Sequence, residues 1–436
     1  MSKSFSRFLI LCFGEFIASI GHGISSFGLS VYVFEQTGLA SSTSLIALLA
    51  FLPALLLSPL AGVLADKYDR RLLMILGDGL SALGIAFILF FVIRGDAVFW
   101  QICVGVTISS IFTALVEPSF RATVTDLLSK EEYTKASGFI QLSSASKYLL
   151  SPIICAALFT FSDIRLFLII DICTVFVTIA TTMFIRKRID VKVEENKESI
   201  LDGFKAGFAI LIKEKGVVVL TVMGSLITFF VAAIQTLSTP MVLAFTDKTT
   251  LGIAITICAS GMLISSILLG IVRIKGNIVR TLCVALFFTG VFITTFGLRE
   301  NILLVGISGF LFFAMLPFAN TSIDYLIRVN IQNEFQGRIW GLISIISQLG
   351  YVFAYAIMGP LADYVFVPLL VECGPLAGSV GKIIGVGNGR GIGLIIVLSG
   401  LLLIITSVCL YQIKSVRKLG ESSVEHIVEQ EAASSP

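Results

Sequence analysis

The sequence predicts an all-α membrane protein, with twelve transmembrane helices in two six-helix halves. Three observations predict it. Of 436 residues, 56% are hydrophobic and only 14% charged, with a mean hydropathy of +0.99; soluble domains carry about 25% charged residues. Twelve apolar runs reach the roughly 20 residues that a helix needs to cross a bilayer core about 30 Å thick. The longest polar interruption, Arg186 to Lys215, divides these runs six and six.

The first run, Phe8 to Phe34, follows a short tail bearing Lys3 and Arg7. It is nearly twice as long as a signal-peptide core and no small-residue cleavage site follows, so it is expected to remain as the first helix. Ser42 to Ala65 and Leu72 to Ile93 flank Asp66–Arg71, which packs five charges into six residues. That spacing reads as a tight cytoplasmic turn. Phe99 to Phe120 contains Glu117-Pro118 near its end, and Lys135 to Thr160 and Arg165 to Ile185 complete the first half. The second half comprises Val217 to Phe245, Leu251 to Val272, Ile278 to Leu298, Ile302 to Ile323, Ile339 to Ala362 and Ile392 to Ile413. None shows the ten-residue alternating pattern of membrane strands.

The expected organisation is thus a bundle over 1–185, a cytoplasmic linker over 186–216, a second bundle over 217–413 and a tail over 414–436. Within the linker, Ile200, Leu201, Phe204, Phe208, Leu211 and Ile212 recur at helical spacing against Asp202, Lys205 and Lys213, the pattern of an amphipathic surface helix. An even helix count places both termini on one side. With that side cytoplasmic, 24 of the 31 Lys and Arg fall inside and 6 outside, with Lys147 within a helix, as the positive-inside rule requires of a cytoplasmic membrane protein. The net charge of +3 is therefore a topology signal and does not point to nucleic acid. Seven of the eight cysteines lie within the runs and no C-x-x-C pair occurs, so neither a disulfide frame nor a zinc site is expected.

The halves echo each other at one matched place. Glu117-Pro118, Asp126, Glu131 and Ala136 in the first correspond to Leu316-Pro317, Asp324, Glu334 and Gly337-Arg338 in the second, where a six-plus-six repeat requires similarity.

Gly62, Asp66, Lys67, Arg70 and Arg71 resemble the G-x-x-x-D-[RK]-x-G-R-[RK] turn of the major facilitator superfamily, with Asp69 in place of its central glycine. Phe51-Leu-Pro53, Pro118, Leu127-Leu128, Glu131-Glu132, Lys135, Gly138, Ser151-Pro152 and Gly337-Arg338 are similar to the macrolide-efflux-like drug exporters of that superfamily. The resemblance implies export by alternating access and a cavity lined by the first, fourth, seventh and tenth helices. The exporters' glycine-rich signature in the fifth helix is degenerate here, with Lys147, Ser151, Cys155 and Ala156 in its register.

Charged residues within spanning helices cost roughly 2.5–3.5 kcal/mol each on insertion scales, so each asks for a partner or a role. Glu15, Ser19, His22 and Ser26 share one face of the first helix. Glu15 is expected either to exchange a proton or hold a cationic substrate, or to form a fixed ion pair with Lys147; both readings stay open. Asp78 is expected to anchor the adjacent turn or cap a neighbour, Glu117 to make a hinge-region contact, and Asp171 to be solvated near the outer surface. Gln141, Gln235, Asn320 and Gln348 are polar at helix depth. Gln235 and Asn320, with Phe229, Phe230 and Phe318 nearby in sequence, suit a large amphipathic ligand. The charges of Asp66–Arg71 are expected to pair across the cytoplasmic gap with the other half and latch the inner gate.

Gly385-x-Gly387-x-Gly389-x-Gly391 resembles a nucleotide loop, but no strand–helix unit follows it and G-x4-G-K-[ST] is absent. A flexible outer loop or lid is expected there, and no cofactor. The expected activity is proton-coupled export of a hydrophobic or amphipathic small molecule by a monomer. The rivals are export of a siderophore or a self-made peptide antibiotic, lysophospholipid flipping, and, more remotely, a transport-inactive sensor. His22 and His426 are the only histidines, which argues against a membrane enzyme dependent on histidine or a metal.

Overall fold

A computed structural model describes residues 3–95, 97–129, 132–186, 208, 212, 214–271, 277–331 and 336–419. These form helices, with no strand among the described residues. In chain order they are α1 (Lys3–Thr37), α2 (Ala40–Lys67), α3 (Arg70–Arg94), α4 (Phe99–Thr113), α5 (Val116–Leu127), α6 (Tyr133–Leu158) and α7 (Ile164–Arg186). There follow α8 (Lys215–Leu243), α9 (Lys248–Ile271), α10 (Ile278–Leu298), α11 (Ile302–Asn330), α12 (Gln336–Leu361), α13 (Val367–Leu370), α14 (Gly381–Ile384) and α15 (Asn388–Gln412). The amphipathic linker helix and the tail beyond Leu419 lie mostly outside the described residues.

Eleven spans are long and apolar enough to cross a membrane, with α4 and α5 together making one of them. The twelfth long helix, α6, is 26 residues long but is diluted by Gln141, Ser143, Ser146, Lys147 and Ser151. The break between α4 and α5 follows from Pro118, which has no N–H to offer the carbonyl of Ala114 four residues earlier. The ladder tightens at the same place, where the Leu115 amide bonds three residues back to Phe112 at 3.1 Å. The span therefore runs on to Leu127, beyond the expected end at Phe120. Likewise, α12 continues through a π-helical turn, Ala362–Phe366, into α13.

The chain divides into two compact units, Met1–Lys197 with Asp247–Thr256, and Glu198–Thr246 with Ile257–Pro436. In the first, α1 packs on α6 and α7, and α3 on α4 and α7. In the second, α8 packs on α12 and α15, and α10 on α11 and α15. Numbered from the start of its own unit, each has the same pairings: first span with fifth and sixth, third with fourth and sixth.

Glycine sets the closeness of these seams. On α1, Gly14, Gly21 and Gly28 recur every seventh residue, and a methyl group at any of them would overlap Thr181, Thr174 or Phe167 of α7. In the second unit, Gly290 and Gly297 of α10 face Gly400 and Gly393 of α15. A Cβ at Gly290 would lie 2.7 Å from the Gly400 carbonyl, and one at Gly297 would lie 2.5 Å from that of Gly393. The register runs forward on one helix as it runs back on the other, as antiparallel helices require. Small residues of this kind let helix backbones approach where lipid supplies no hydrophobic drive between helices.

The glycine-rich segment before α15 is folded, against the expectation of a flexible loop. Arg390, only 1% exposed, donates from Nη1 to the Ile384 carbonyl at 3.1 Å and from Nη2 to that of Gly297 at 3.4 Å. Its Nε lies 3.2 Å from Glu300 Oε1. Gly385 adopts φ +104° and carries no Cβ to strike the Arg390 stem, which such an atom would meet at 2.8 Å. The glycines here serve close approach around one buried guanidinium.

Two outcomes are expected. Gly290→Leu should destabilise the protein by about 1–3 kcal/mol, the usual cost of overpacking, read as a lower melting temperature in detergent. Arg390→Met should speed amide hydrogen exchange across 371–387 and leave exchange in α8 unchanged, because it releases the clamp on that segment alone.

Candidate functional site

The polar face of α1 is built as its spacing predicts, and its neighbours give it chemistry. Glu15 and His22 are half-buried and Ser26 is exposed. Gly21 presses against α7 on one side of His22 and Gly23 against α6 on the other, where a Cβ would meet the Lys147 carbonyl at 2.9 Å. Hydrogen bonds fix the same seams. Ser151 Oγ donates to the Ile20 carbonyl at 3.0 Å, and Thr178 Oγ1 to that of Gly14 at 3.2 Å.

This clamping brings His22 Nδ1 to 2.9 Å from Asp171 Oδ1 of α7. Asp171 is 1% exposed, so its expected solvation near a surface is corrected. The approach to His22 is a close ion-pair contact, and neither Asp171 oxygen takes a hydrogen bond from any other group among the described residues. Asp78 of α3 is also buried, at 4%, and its Oδ2 has no hydrogen-bond partner among the described residues. Asp171, Asp78 and Lys147 all lie within electrostatic reach of His22, and Glu117 of α5 within reach of Glu15. No ion pair joins Glu15 to Lys147 among the described residues. Glu117 instead pairs with Arg121 at 2.8 Å.

Three of the five charges of the turn, Asp69, Arg70 and Arg71, find close partners within the first unit. Arg70 Nη1 donates to Asp126 Oδ1 at 2.5 Å and Arg71 Nη2 to Oδ2 at 3.4 Å, so one carboxylate at the end of α5 collects both guanidinium groups. Asp69 is the N-cap of α3, accepting from the Arg71 amide at 3.1 Å, and its second oxygen meets Arg186 Nε at 2.6 Å. These roles explain an acidic residue where the family turn has glycine. Asp66 is half-exposed and reaches Arg70 only at 3.9 Å. Gly62 has open space around it, and Lys67 makes no ion pair among the described residues. The partner that sequence reasoning did not assign to this turn is Asp126.

In the second unit, Tyr355 Oη of α12 donates to Gln235 Oε1 of α8 at 3.2 Å, and the Tyr351 and Tyr355 rings lie 5.9 Å apart. Phe230 is buried against Phe229, with their rings 5.5 Å apart. Asn320 stands exposed on α11, and no hydrogen bond joins it to Gln235 among the described residues. Gln348 Nε2 turns to Ser344 Oγ at 3.3 Å. The side chain of Arg338 lies outside the described residues.

Eleven apolar spans, a repeated packing scheme and buried charge between helices define a multi-pass α-helical membrane transporter. The chain belongs to the Major Facilitator Superfamily, whose family model matches residues 11–355. It is 26% identical over 372 residues to macrolide efflux protein A of Streptococcus pyogenes, covering 83% of this chain and 90% of that one. The protein of the same name from Enterococcus faecalis is 26% identical over 314 residues, covering 70% and 95%. The solved nucleoside transporter NupG shares the fold at a TM-score of 0.69 and 13% identity, covering 94% of this chain and all of that one.

If Asp126 is the counter-charge of the turn, Asp126→Asn should destabilise the protein by about 3 kcal/mol, because it strands the buried Arg71. Asp66→Asn, at an exposed and distant pair, should cost less than about 1 kcal/mol. Thermal unfolding in detergent compares the two.

Proposed function

We propose that this protein is a proton-driven exporter of hydrophobic or amphipathic small molecules of the macrolide type, working by alternating access in the cytoplasmic membrane. The observation that carries the reading is the similarity to macrolide efflux protein A across 83% of the chain, within a family model that spans most of it. The positive-inside count supports cytoplasmic termini. The protein acts as a monomer and as a carrier rather than an enzyme, since it has only two histidines, one of them in the tail. Each proton moving inward across 100 mV supplies about 2.3 kcal/mol, roughly a fifty-fold concentration ratio, so ATP is not required.

Glu15, His22 and Lys147 are the groups proposed for coupling or for holding a cation, and Gln235 and Asn320 for contacting an uncharged part of the substrate. Gly62, Asp66, Lys67, Arg70 and Arg71 form the turn proposed to act in gating.

Expression in cells lacking their own exporters should raise the tolerated erythromycin concentration and lower its accumulation, and an uncoupler should abolish both effects. Unchanged tolerance, with a siderophore or lysophospholipid moved instead, would replace the substrate class. Glu15→Gln should raise the erythromycin concentration for half-maximal efflux about tenfold, the scale of one lost charge partner.

A further inference from the structure

We propose that the His22–Asp171 pair, rather than Glu15, carries the coupling proton, with His22 as the site that takes it up and Asp171 as the residue that positions His22. The inference rests on the proton-driven export reading and assigns that coupling to a place.

The geometry supplies the argument. A bare lone pair on Nδ1 would face the Asp171 carboxylate at 2.9 Å and be repelled by it, so in the neutral ring the hydrogen sits on Nδ1. That leaves Nε2 as the basic atom. A proton adds to its lone pair to give the imidazolium and leaves from the same atom. Asp171 is suited to this because it is buried and no other donor satisfies its oxygens. His22, with 26% of its side chain exposed, keeps a route for the proton, and the glycines on either side of it hold the ring against α6 and α7.

The charges around the pair explain exchange. Asp171 on α7, Asp78 on α3 and Lys147 on α6 all bear electrostatically on His22, and Glu15 lies two turns back on the same face of α1. Glu117 on α5 bears on Glu15. A cationic substrate held at Glu15 and an imidazolium at His22 are like charges drawing on one set of carboxylates. Each weakens the other, as antiport requires.

Two measurements on full-length protein in nanodiscs test this. Only two histidines are present, so in a His426→Gln background the resonances of labelled histidine report His22 alone. Asp171→Asn should displace the titration midpoint by about one pH unit, and Asp171→Glu should restore it; a midpoint indifferent to Asp171 overturns the pairing. In weak buffer, erythromycin binding should release a proton from the wild type. His22→Gln should abolish that release, whereas Glu15→Gln should weaken binding without changing the protons released per bound molecule. Release that persists in His22→Gln, or vanishes in Glu15→Gln, overturns the proposal and leaves proton-driven export standing. Binding without release in the wild type removes the export coupling itself, even where the titration shows the pair.

Discussion

Helices in lipid have little reason to adhere through apolar surface, because the acyl chains solvate leucine as well as another leucine does. Close backbone approach replaces that drive, and here it depends on glycine at seven-residue spacing. Gly14, Gly21 and Gly28 lay α1 along α7 so tightly that side-chain atoms of Thr181, Thr174 and Phe167 occupy the places their methyl groups would take. The consequence is chemical as well as mechanical. His22 sits beside Gly21, so the contact that seats the helix also delivers an imidazole to a carboxylate buried on the facing helix.

The same device recurs in the second unit, where Gly290 and Gly297 meet Gly400 and Gly393, but the polar cargo differs. Helices of the first unit hold Glu15, His22, Asp78, Lys147 and Asp171. At its own seam between first and fifth spans, α8 and α12, the second unit offers Gln235 bonded to Tyr355, a neutral pair beside aromatic rings. Two units with one packing scheme thus carry different electrostatics. Backbone spacing constrains where glycine must stand and leaves the intervening positions free to diverge.

Much of this was legible in the sequence. Hydropathy located the spans because lipid demands some 20 apolar residues from every helix, whatever its neighbours. It was least decisive at α6, where Ser143, Ser146 and Ser151 are buried against protein and Gln141 and Lys147 dilute the apolar run. The face bearing Glu15 and His22 followed from helical spacing alone. The partner of His22 did not, because depth along a helix says nothing of which neighbour packs there, and Asp171 read as solvated. The available signal was the G-x6-G-x6-G of α1, which marks the buried stripe next to His22. Asp126 was visible only as an echo of Asp324, and its role emerged once α5 had brought it to Arg70 and Arg71. The glycines near Arg390 misled for a related reason: glycine in sequence does not distinguish freedom from crowding.

Energy scales constrain how the pair at His22 can cycle. Stranding a buried carboxylate by removing its charged partner costs about 3–5 kcal/mol, whereas one proton crossing 100 mV yields about 2.3 kcal/mol. A proton therefore cannot leave His22 into unchanged surroundings at the expense of the membrane potential alone. Positive charge must approach the carboxylates as the proton departs. Lys147 is one source, but it belongs to the same unit and is present throughout the cycle, so it cannot link release to cargo. A cation arriving from solution at Glu15 is the other source. In the proposed cycle it would make deprotonation conditional on loading, and a single buried ion pair would then set the order of exchange.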